Sequence, residues 1–151
     1  YHPVVNIVGD GPYLDTLKAL AREKNVNVNF LGYLDNKSDR FRTLLETSRY
    51  FVFTSSAENF PVVLLEAMSA GLAIITTNDT GCAEAVGDAA LLVPPKDAAA
   101  IRESLTNLIN DRDMANSLMQ KARNRVTERF DQESLTARHI EIYRQHGRKQ
   151  P

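Results

Sequence analysis

The fold is decided by the stretch Ser55-Ser56-Ala57-Glu58-Asn59-Phe60-Pro61-Val62-Val63-Leu64-Leu65-Glu66-Ala67-Met68. It joins a β-like run at 50–54 to a helix-like run through a short polar loop. Glu58 lies in the loop, and Glu66 lies within the predicted helix. Because a charge among apolar neighbours is costly unless it is paired or faces a cleft, Glu66 marks a candidate site.

A helix that begins near Phe60 or Pro61 would place Glu66 within its first two turns. Proline suits this start because it has no N–H to leave unpaired. The free amides and the positive end of the helix dipole would then point toward Glu58. This predicts a site for a phosphate joined to polyhydroxy groups. The alternative is that Glu66 only pairs with an arginine at the helix surface, and the pattern alone leaves it open.

The bulk properties narrow the class of protein. A length of 151 residues fits one domain or slightly less, and a formal net charge of −1 favours neither nucleic acid nor an anionic membrane as a partner. Cys82 is the only cysteine, so no internal disulfide or cysteine-based metal site is possible. The apolar runs are too short for a transmembrane segment, and we expect no signal peptide. The default expectation is a cytoplasmic protein.

Strand and helix patterns alternate about five times along the chain. Predicted strands lie near 4–8, 26–31, 50–54, 73–76 and 89–93, and helices follow each of them. This alternation predicts an α/β fold with a doubly wound, Rossmann-like parallel sheet flanked by helices. In such sheets ligands bind beyond the carboxyl ends of the strands. The loops placed there are 9–12, 32–35, 55–61 and 78–82.

Other chemistries are disfavoured by the same loops. The turn Gly9-Asp10-Gly11-Pro12 has Leu14 where a dinucleotide fingerprint needs its third glycine, so a nicotinamide site is not expected. No glycine loop is followed by a Walker lysine. Ser55 and Ser56 lack the glycine-flanked elbow of a hydrolase nucleophile. For Cys82, a small buried residue is the favoured interpretation.

A family resemblance rests on seven motifs in one order: Gly9-Asp10-Gly11-Pro12, Phe30-Leu31-Gly32, Phe51-Val52-Phe53-Thr54-Ser55, Glu58 to Glu66 with Leu64-Leu65-Glu66-Ala67-Met68, Ala70-Gly71, Gly81 to Glu84, and Leu91-Leu92-Val93-Pro94. Together they resemble the C-terminal, nucleotide-sugar-binding domain of family 4 retaining glycosyltransferases, which have the GT-B fold. The resemblance covers nearly the whole chain. Each motif is weak by itself, and their common order makes the resemblance specific.

The resemblance implies transfer of a sugar from a nucleoside diphosphate sugar to a glycan, lipid or small-molecule acceptor, with retention of the anomeric configuration. Glu58 would be the catalytic acid that contacts the donor sugar, and Glu66 would accept hydrogen bonds from the ribose hydroxyls. The amides near Val62 and Val63 would hold the diphosphate, and the backbone around Leu34 would meet the nucleobase. The other candidate donor-binding residues are Gly9, Asn59, Phe60, Pro61 and Gly81. No metal or other cofactor is implied, since the helix dipole and basic side chains would neutralise the leaving diphosphate.

The chain also departs from the family pattern. Asn59 and Pro61 stand where many relatives have glycines, and Cys82 replaces the second glycine of a common Gly-Gly turn. The resemblance implies a preceding strand and helix, with an arginine and a lysine that bind the diphosphate, and an N-terminal acceptor domain. We therefore expect residues 1–151 to be a donor-binding domain truncated at its N-terminal edge and inactive alone. The parent would be cytoplasmic or peripheral at the inner membrane surface.

One further expectation accompanies this interpretation, and two alternatives to it remain open. An exposed sheet edge would allow pairing with a second copy of the chain. A non-catalytic nucleotide-sugar or protein-binding module would keep the same fold without the reaction, and a GT-B sugar-nucleotide epimerase is a related enzyme class. The spacing from Glu58 to Glu66 within the Leu-Leu-Glu-Ala-Met context favours the transferase over the epimerase. The presence of both acids speaks against a module that has lost its site, but both acids are also compatible with binding alone.

Overall fold

The computed structural model describes residues 4–78 and 81–146. Asp79 and Thr80, which belong to the predicted loop at 78–82, lie outside the described residues. The chain divides into two compact units, Tyr1–Thr47 and Ser48–Pro151. Parallel strands flanked by helices occur as the alternation predicts. The strands form two hydrogen-bonded sheets, one in each unit.

The first unit contains four elements: β1 (Val5–Val8), α1 (Leu14–Glu23), β2 (Val28–Gly32) and α2 (Asp39–Thr47). β1 and β2 pair in parallel, with Val5 opposite Val28. Ser38 caps α2, because its Oγ accepts a hydrogen bond from the Phe41 amide at 3.2 Å. The carboxylate of Asp35 accepts a hydrogen bond from the Lys37 amide and so closes the preceding turn.

The second unit contains the other eight elements: β3 (Tyr50–Phe53), α3 (Val62–Ala70), β4 (Ala73–Thr77), α4 (Gly81–Val86), β5 (Ala90–Val93), α5 (Ala98–Asn110), α6 (Arg112–Phe130) and α7 (Gln132–His146). β4 lies between β3 and β5, and all three strands are parallel. All five residues of β4 are buried, as expected for a strand covered on both faces.

The helix that carries Glu66 begins later than predicted. α3 starts at Val62, and Pro61 is its N-cap residue, with φ −78° and ψ 112°. The prediction of a start at Phe60 or Pro61 was therefore wrong by one or two residues. The physical reason is that proline disfavours the helical conformation at the residue before it, so the helix does not include Phe60. The helix ends at Ala70, and Gly71 follows it in the left-handed conformation, with φ 73°.

The core of the second unit forms where α5 and α6 pack on β4 and β5. Its buried members are Ala73, Ile75, Val93, Leu108, Ala115 and Leu118. α3 packs against α6, and its Leu64, Ala67 and Met68 are fully buried. α3 is therefore held against the rest of the second unit through its buried face.

Candidate active site

The loop at 55–61 is anchored at its start by threonines of the neighbouring strand. The hydroxyl of Thr77 donates to the Ser55 carbonyl at 2.7 Å, and that of Thr76 donates to the Phe53 carbonyl at 2.7 Å. Both threonines are completely buried. Because a buried hydroxyl must find a partner, the end of β3 and the first residue of the loop are fixed to β4.

The middle of the loop rests on the first residue of α4. The Gly81 amide donates to the Glu58 carbonyl at 3.0 Å. A Cβ atom added at Gly81 would overlap the Asn59 carbonyl, so this close approach requires glycine. Glu58 is half-buried and Asn59 is exposed. The backbone of the acid-bearing segment is thus held directly against α4.

The end of the loop is held by an aromatic contact. The Phe60 ring meets the ring of Phe130, at the end of α6, in an edge-to-face arrangement with centroids 5.5 Å apart. Pro61 is buried and caps α3. Together with the contacts of Ser55 and Glu58, this contact ties the loop to β4, α4 and α6.

The first turn of α3 follows the loop directly. Val62 and Val63 are its first two residues, and amides at this position have no carbonyl partner within the helix. Glu66 lies in the second turn and is half-buried, whereas its helix neighbours Leu64 and Ala67 are fully buried. Both acids therefore lie outside the apolar core, one before the helix and one within it. Free amides with a partial positive charge suit a phosphate, and carboxylates suit hydroxyl donors.

The structure brings most of the predicted site residues together in the second unit: Glu58, Asn59, Phe60, Pro61, Val62, Val63, Glu66 and Gly81. The other two belong to the first unit. Gly9, with φ +118°, donates its amide to the Gly32 carbonyl at 2.8 Å. Leu34 is half-buried and follows β2 by two residues. Within that unit, the turns after β1 and β2 meet as predicted for the carboxyl ends of parallel strands.

Sequence reasoning missed Thr77 and Phe130. For Thr77 a signal existed, because two threonines at the end of an apolar strand are candidates for hydroxyl bonds to the next strand. For Phe130 no local signal existed, since it is the last residue of a long helix far from the loop in the sequence. Only tertiary packing shows that its ring contacts Phe60.

Three further observations concern metal ions, Cys82 and membranes. In the described parts of the chain, no cluster of three or more His, Cys, Asp or Glu residues has the arrangement of a metal site. Cys82 is fully buried, which agrees with its interpretation as a small core residue. Among the helices at 4–78 and 81–146, none combines the length and apolar character needed to span a bilayer.

Comparison with known proteins gives a consistent set of relatives. A family model described as glycosyl transferases group 1 matches residues 2–125. N-acetyl-alpha-D-glucosaminyl L-malate synthase of Bacillus anthracis is 31% identical over 141 residues, which is 91% of this chain and 36% of that protein. The sucrose-phosphate synthase structure from Thermosynechococcus elongatus superposes with a TM-score of 0.80 at 27% identity, covering 93% of this chain and 37% of that one.

A second structure, Anabaena Alr3699/HepE in complex with UDP-glucose, has a TM-score of 0.83 at 22% identity and covers 94% of this chain and 41% of that one. At this identity the likeness shows the fold alone. The chain spans between a third and about two-fifths of the length of these relatives, 36% to 41%. It matches the GT-B fold that its motifs resemble.

Proposed function

Because the chain belongs to the glycosyl transferases group 1 family, we propose that it is the donor-binding C-terminal half of a retaining glycosyltransferase. The parent transfers a hexose-type sugar from a nucleoside diphosphate to a glycan, lipid or small-molecule acceptor. The observation that carries this proposal is the position of the two acids, Glu58 before the amino end of α3 and Glu66 in its second turn. That arrangement offers amides to a diphosphate and carboxylates to sugar hydroxyls.

In the proposed reaction, the diphosphate lies against the amides of Val62 and Val63. Glu66 accepts hydrogen bonds from the ribose, and Glu58 contacts the donor sugar. The bond between the anomeric carbon and the diphosphate oxygen breaks with its electron pair on the diphosphate. An acceptor hydroxyl oxygen bonds to the same face of that carbon, and its proton passes to the departing diphosphate oxygen. The dipole of α3 stabilises the leaving charge, and Glu58 steadies the reacting centre.

The nature of the donor is supported by a neighbour of the same fold. The Alr3699/HepE structure contains UDP-glucose, so a nucleotide sugar is the ligand class to test first. We propose that the reaction needs no metal, because α3 supplies the positive potential. The backbone around Leu34 would meet the nucleobase, and Gly9 is a further candidate donor-binding residue. The facing domain of the parent would bind the acceptor, and the fragment alone would not turn over.

We further propose a cytoplasmic location for the parent, with a peripheral position at the inner membrane surface as the alternative. Self-association through a free sheet edge is also a proposal. Size measurement of the chain at two concentrations would test this association.

The experiment is a pair of charge-removing substitutions in the parent protein. Glu66→Gln should weaken nucleotide-sugar binding about tenfold, since a hydrogen bond to a charged group is lost. Glu58→Gln should lower kcat by about 10²-fold with a small change in donor affinity, because its role is at the reacting centre. Calorimetric titration and initial rates would measure both, and the anomeric configuration of the product would test retention.

Glu103→Gln on the exposed face of α5 is the matched control, and neither quantity should change. An equal loss of nucleotide affinity from Glu58→Gln and Glu66→Gln would contradict the division of roles. Binding without transfer of any donor sugar by the unaltered parent would instead favour the non-catalytic module.

A further inference from the structure

α6 contacts both the acid-bearing loop and α4, the helix against which that loop rests. At its end, Phe130 packs on Phe60 in the loop, with ring centroids 5.5 Å apart. One and a half turns earlier, Arg125 contacts α4: its Nε donates to the Ala85 carbonyl at 2.8 Å and its Nη2 donates to the Glu84 carbonyl at 2.7 Å. One helix therefore contacts the loop directly and also through α4.

The contact of Arg125 with α4 is a strong one. The two carbonyls lie near the end of a short helix, where carbonyl groups lack partners within the helix. A guanidinium that donates two bonds from fixed directions satisfies both at once, and its charge strengthens each bond. The approach is close, since a Cβ atom added at Gly87 would lie 2.7 Å from the guanidinium carbon. Arg125 thus sets the position of α4 along its axis.

The position of the Glu58 backbone depends on the position of α4. α4 begins at Gly81, whose amide donates to the Glu58 carbonyl, and the Asn59 carbonyl lies so close that no Cβ atom fits there. α4 has only six residues, and its Cys82, Ala85 and Val86 are fully buried. A short, tightly packed helix of this kind moves as a unit. A shift at its Arg125 end is therefore expected to reach the backbone of Glu58.

The two contacts are coupled through α6 itself. The Arg125 guanidinium lies 5.9 Å from the centroid of the Phe130 ring, within the range of a cation–π interaction. α6 is in turn fixed to the core, because Ala115 and Ala122 are fully buried. Arg125 and Phe130, which contact each other, therefore connect the loop and α4 to a helix that is fixed in the core.

We propose that Arg125 and Phe130 are positioning residues that hold the main chain of Glu58 in fixed register with the amino end of α3. The proposal rests on the proposed function for its catalytic consequence, and on the geometry alone for its structural consequence. Neither side chain contacts the donor in this account. They act through Gly81 and Phe60, so their loss displaces Glu58 and leaves the amides of α3 in place.

The test uses Arg125→Leu and Phe130→Leu in the parent protein, with Arg125→Lys as the conservative variant. Arg123→Leu is the matched control, because Arg123 lies on the same helix and also donates to a carbonyl, that of Ala70 at 3.4 Å, at the opposite end of α3. The first readout is hydrogen exchange of peptides that cover 55–61 and the Gly81 amide, measured without donor. Exchange should accelerate about tenfold in both leucine variants and remain unchanged in the control.

The second readout is the split between kcat and KM. A displaced Glu58 should lower kcat about tenfold while KM for the donor stays within about twofold, since small misplacements slow the chemical step. Arg125→Lys keeps the charge but not the paired bonds, so it should recover kcat in part. The proposal is overturned if the leucine variants lower only the melting temperature, with exchange at 55–61 and kcat unaltered, or if Arg123→Leu has the same effects.

The two proposals fail differently. If the unaltered parent transfers no sugar from any nucleotide donor, the proposed function fails, and the exchange measurement still decides whether Arg125 and Phe130 hold the loop. If Arg125→Leu does not fold, Arg125→Lys and Phe130→Leu give the same readouts, and normal exchange at Gly81 in both would overturn the proposal.

Discussion

The two units of the chain differ sharply in how they bury their apolar residues. In the second unit, Ile74 and Ile75 of the central strand have no accessible surface. In the first unit, Val5 is 43% exposed and Leu20 is 46% exposed, and Phe41 and Leu45 are the buried apolar side chains among the described residues. Small units bury a smaller share of their surface, so this contrast follows partly from size.

This difference in burial between the two units indicates which of the candidate site residues lie on a rigid part of the chain. The segment with Glu58 and the helix with Glu66 rest on the buried core of the second unit, through β4, α4 and α6. Gly9 and Leu34 lie on turns of the first unit, which has few buried side chains of its own. We therefore expect substitutions to be costly beneath the acids and mild in the first unit.

The largest expected difference comes from removing a leucine in each unit. Leu64→Ala should lower the free energy of unfolding by about 2–5 kcal/mol, because the side chain is fully buried and a cavity remains. Leu20→Ala should cost less than about 1 kcal/mol, since nearly half of the residue is already exposed. Urea denaturation of the chain measures both. Similar losses of unfolding free energy in Leu64→Ala and Leu20→Ala would contradict the stated difference in burial between the two units.

A second comparison removes one hydroxyl from each unit. Thr77→Val keeps the shape but leaves the Ser55 carbonyl without its 2.7 Å donor, and it should cost about 1–3 kcal/mol. Ser38→Ala removes the cap of α2 and should cost about 1 kcal/mol. Only Thr77→Val should speed hydrogen exchange in 55–61. Faster exchange there in Ser38→Ala would show that the loop is not anchored as described.

The smallest effect concerns the surface of the second unit. The hydrogen bond and charge of Lys121, 2.9 Å away, hold the pKa of Asp88 below its ordinary value. A lowered pKa in the folded state contributes stability above the unfolded pKa of about 3.9, and this is lost as the pH falls through the folded pKa. Asp88→Asn should therefore differ slightly from the unaltered chain at pH 7 and converge with it in acid.

Salt should also reduce that difference, because both side chains are exposed and screened. Unfolding curves at pH 7 with and without 1 M salt would measure this. A difference between Asp88→Asn and the unaltered chain that grows in acid would contradict the assigned pair.

The sequence predicted those features that depend on local pattern. The alternation of strands and helices and the helix that follows the loop at 55–61 depend on periodicity and backbone restrictions, and they are confirmed apart from the start of α3. The pairing of Phe60 with Phe130 and of Arg125 with α4 was not predictable. These contacts join residues far apart in the sequence, and no local rule relates them.

The roles of the individual site residues stay predictions. The structure shows that Glu58 and Glu66 are half-buried and lie outside the core. It shows the amides of Val62 and Val63 at the first turn of α3, after the loop that carries Glu58. The family then supplies the chemistry that these groups would serve.

The most direct measurement is hydrogen exchange of the parent protein with and without a saturating nucleotide sugar, using UDP-glucose, GDP-mannose and ADP-glucose in turn. We predict that one donor protects the peptides covering 55–68, and that Glu66→Gln removes this protection while Glu103→Gln keeps it. A donor that is turned over without any protection of 55–68, or with protection confined to α5 and α7, would contradict a donor site at the amino end of α3.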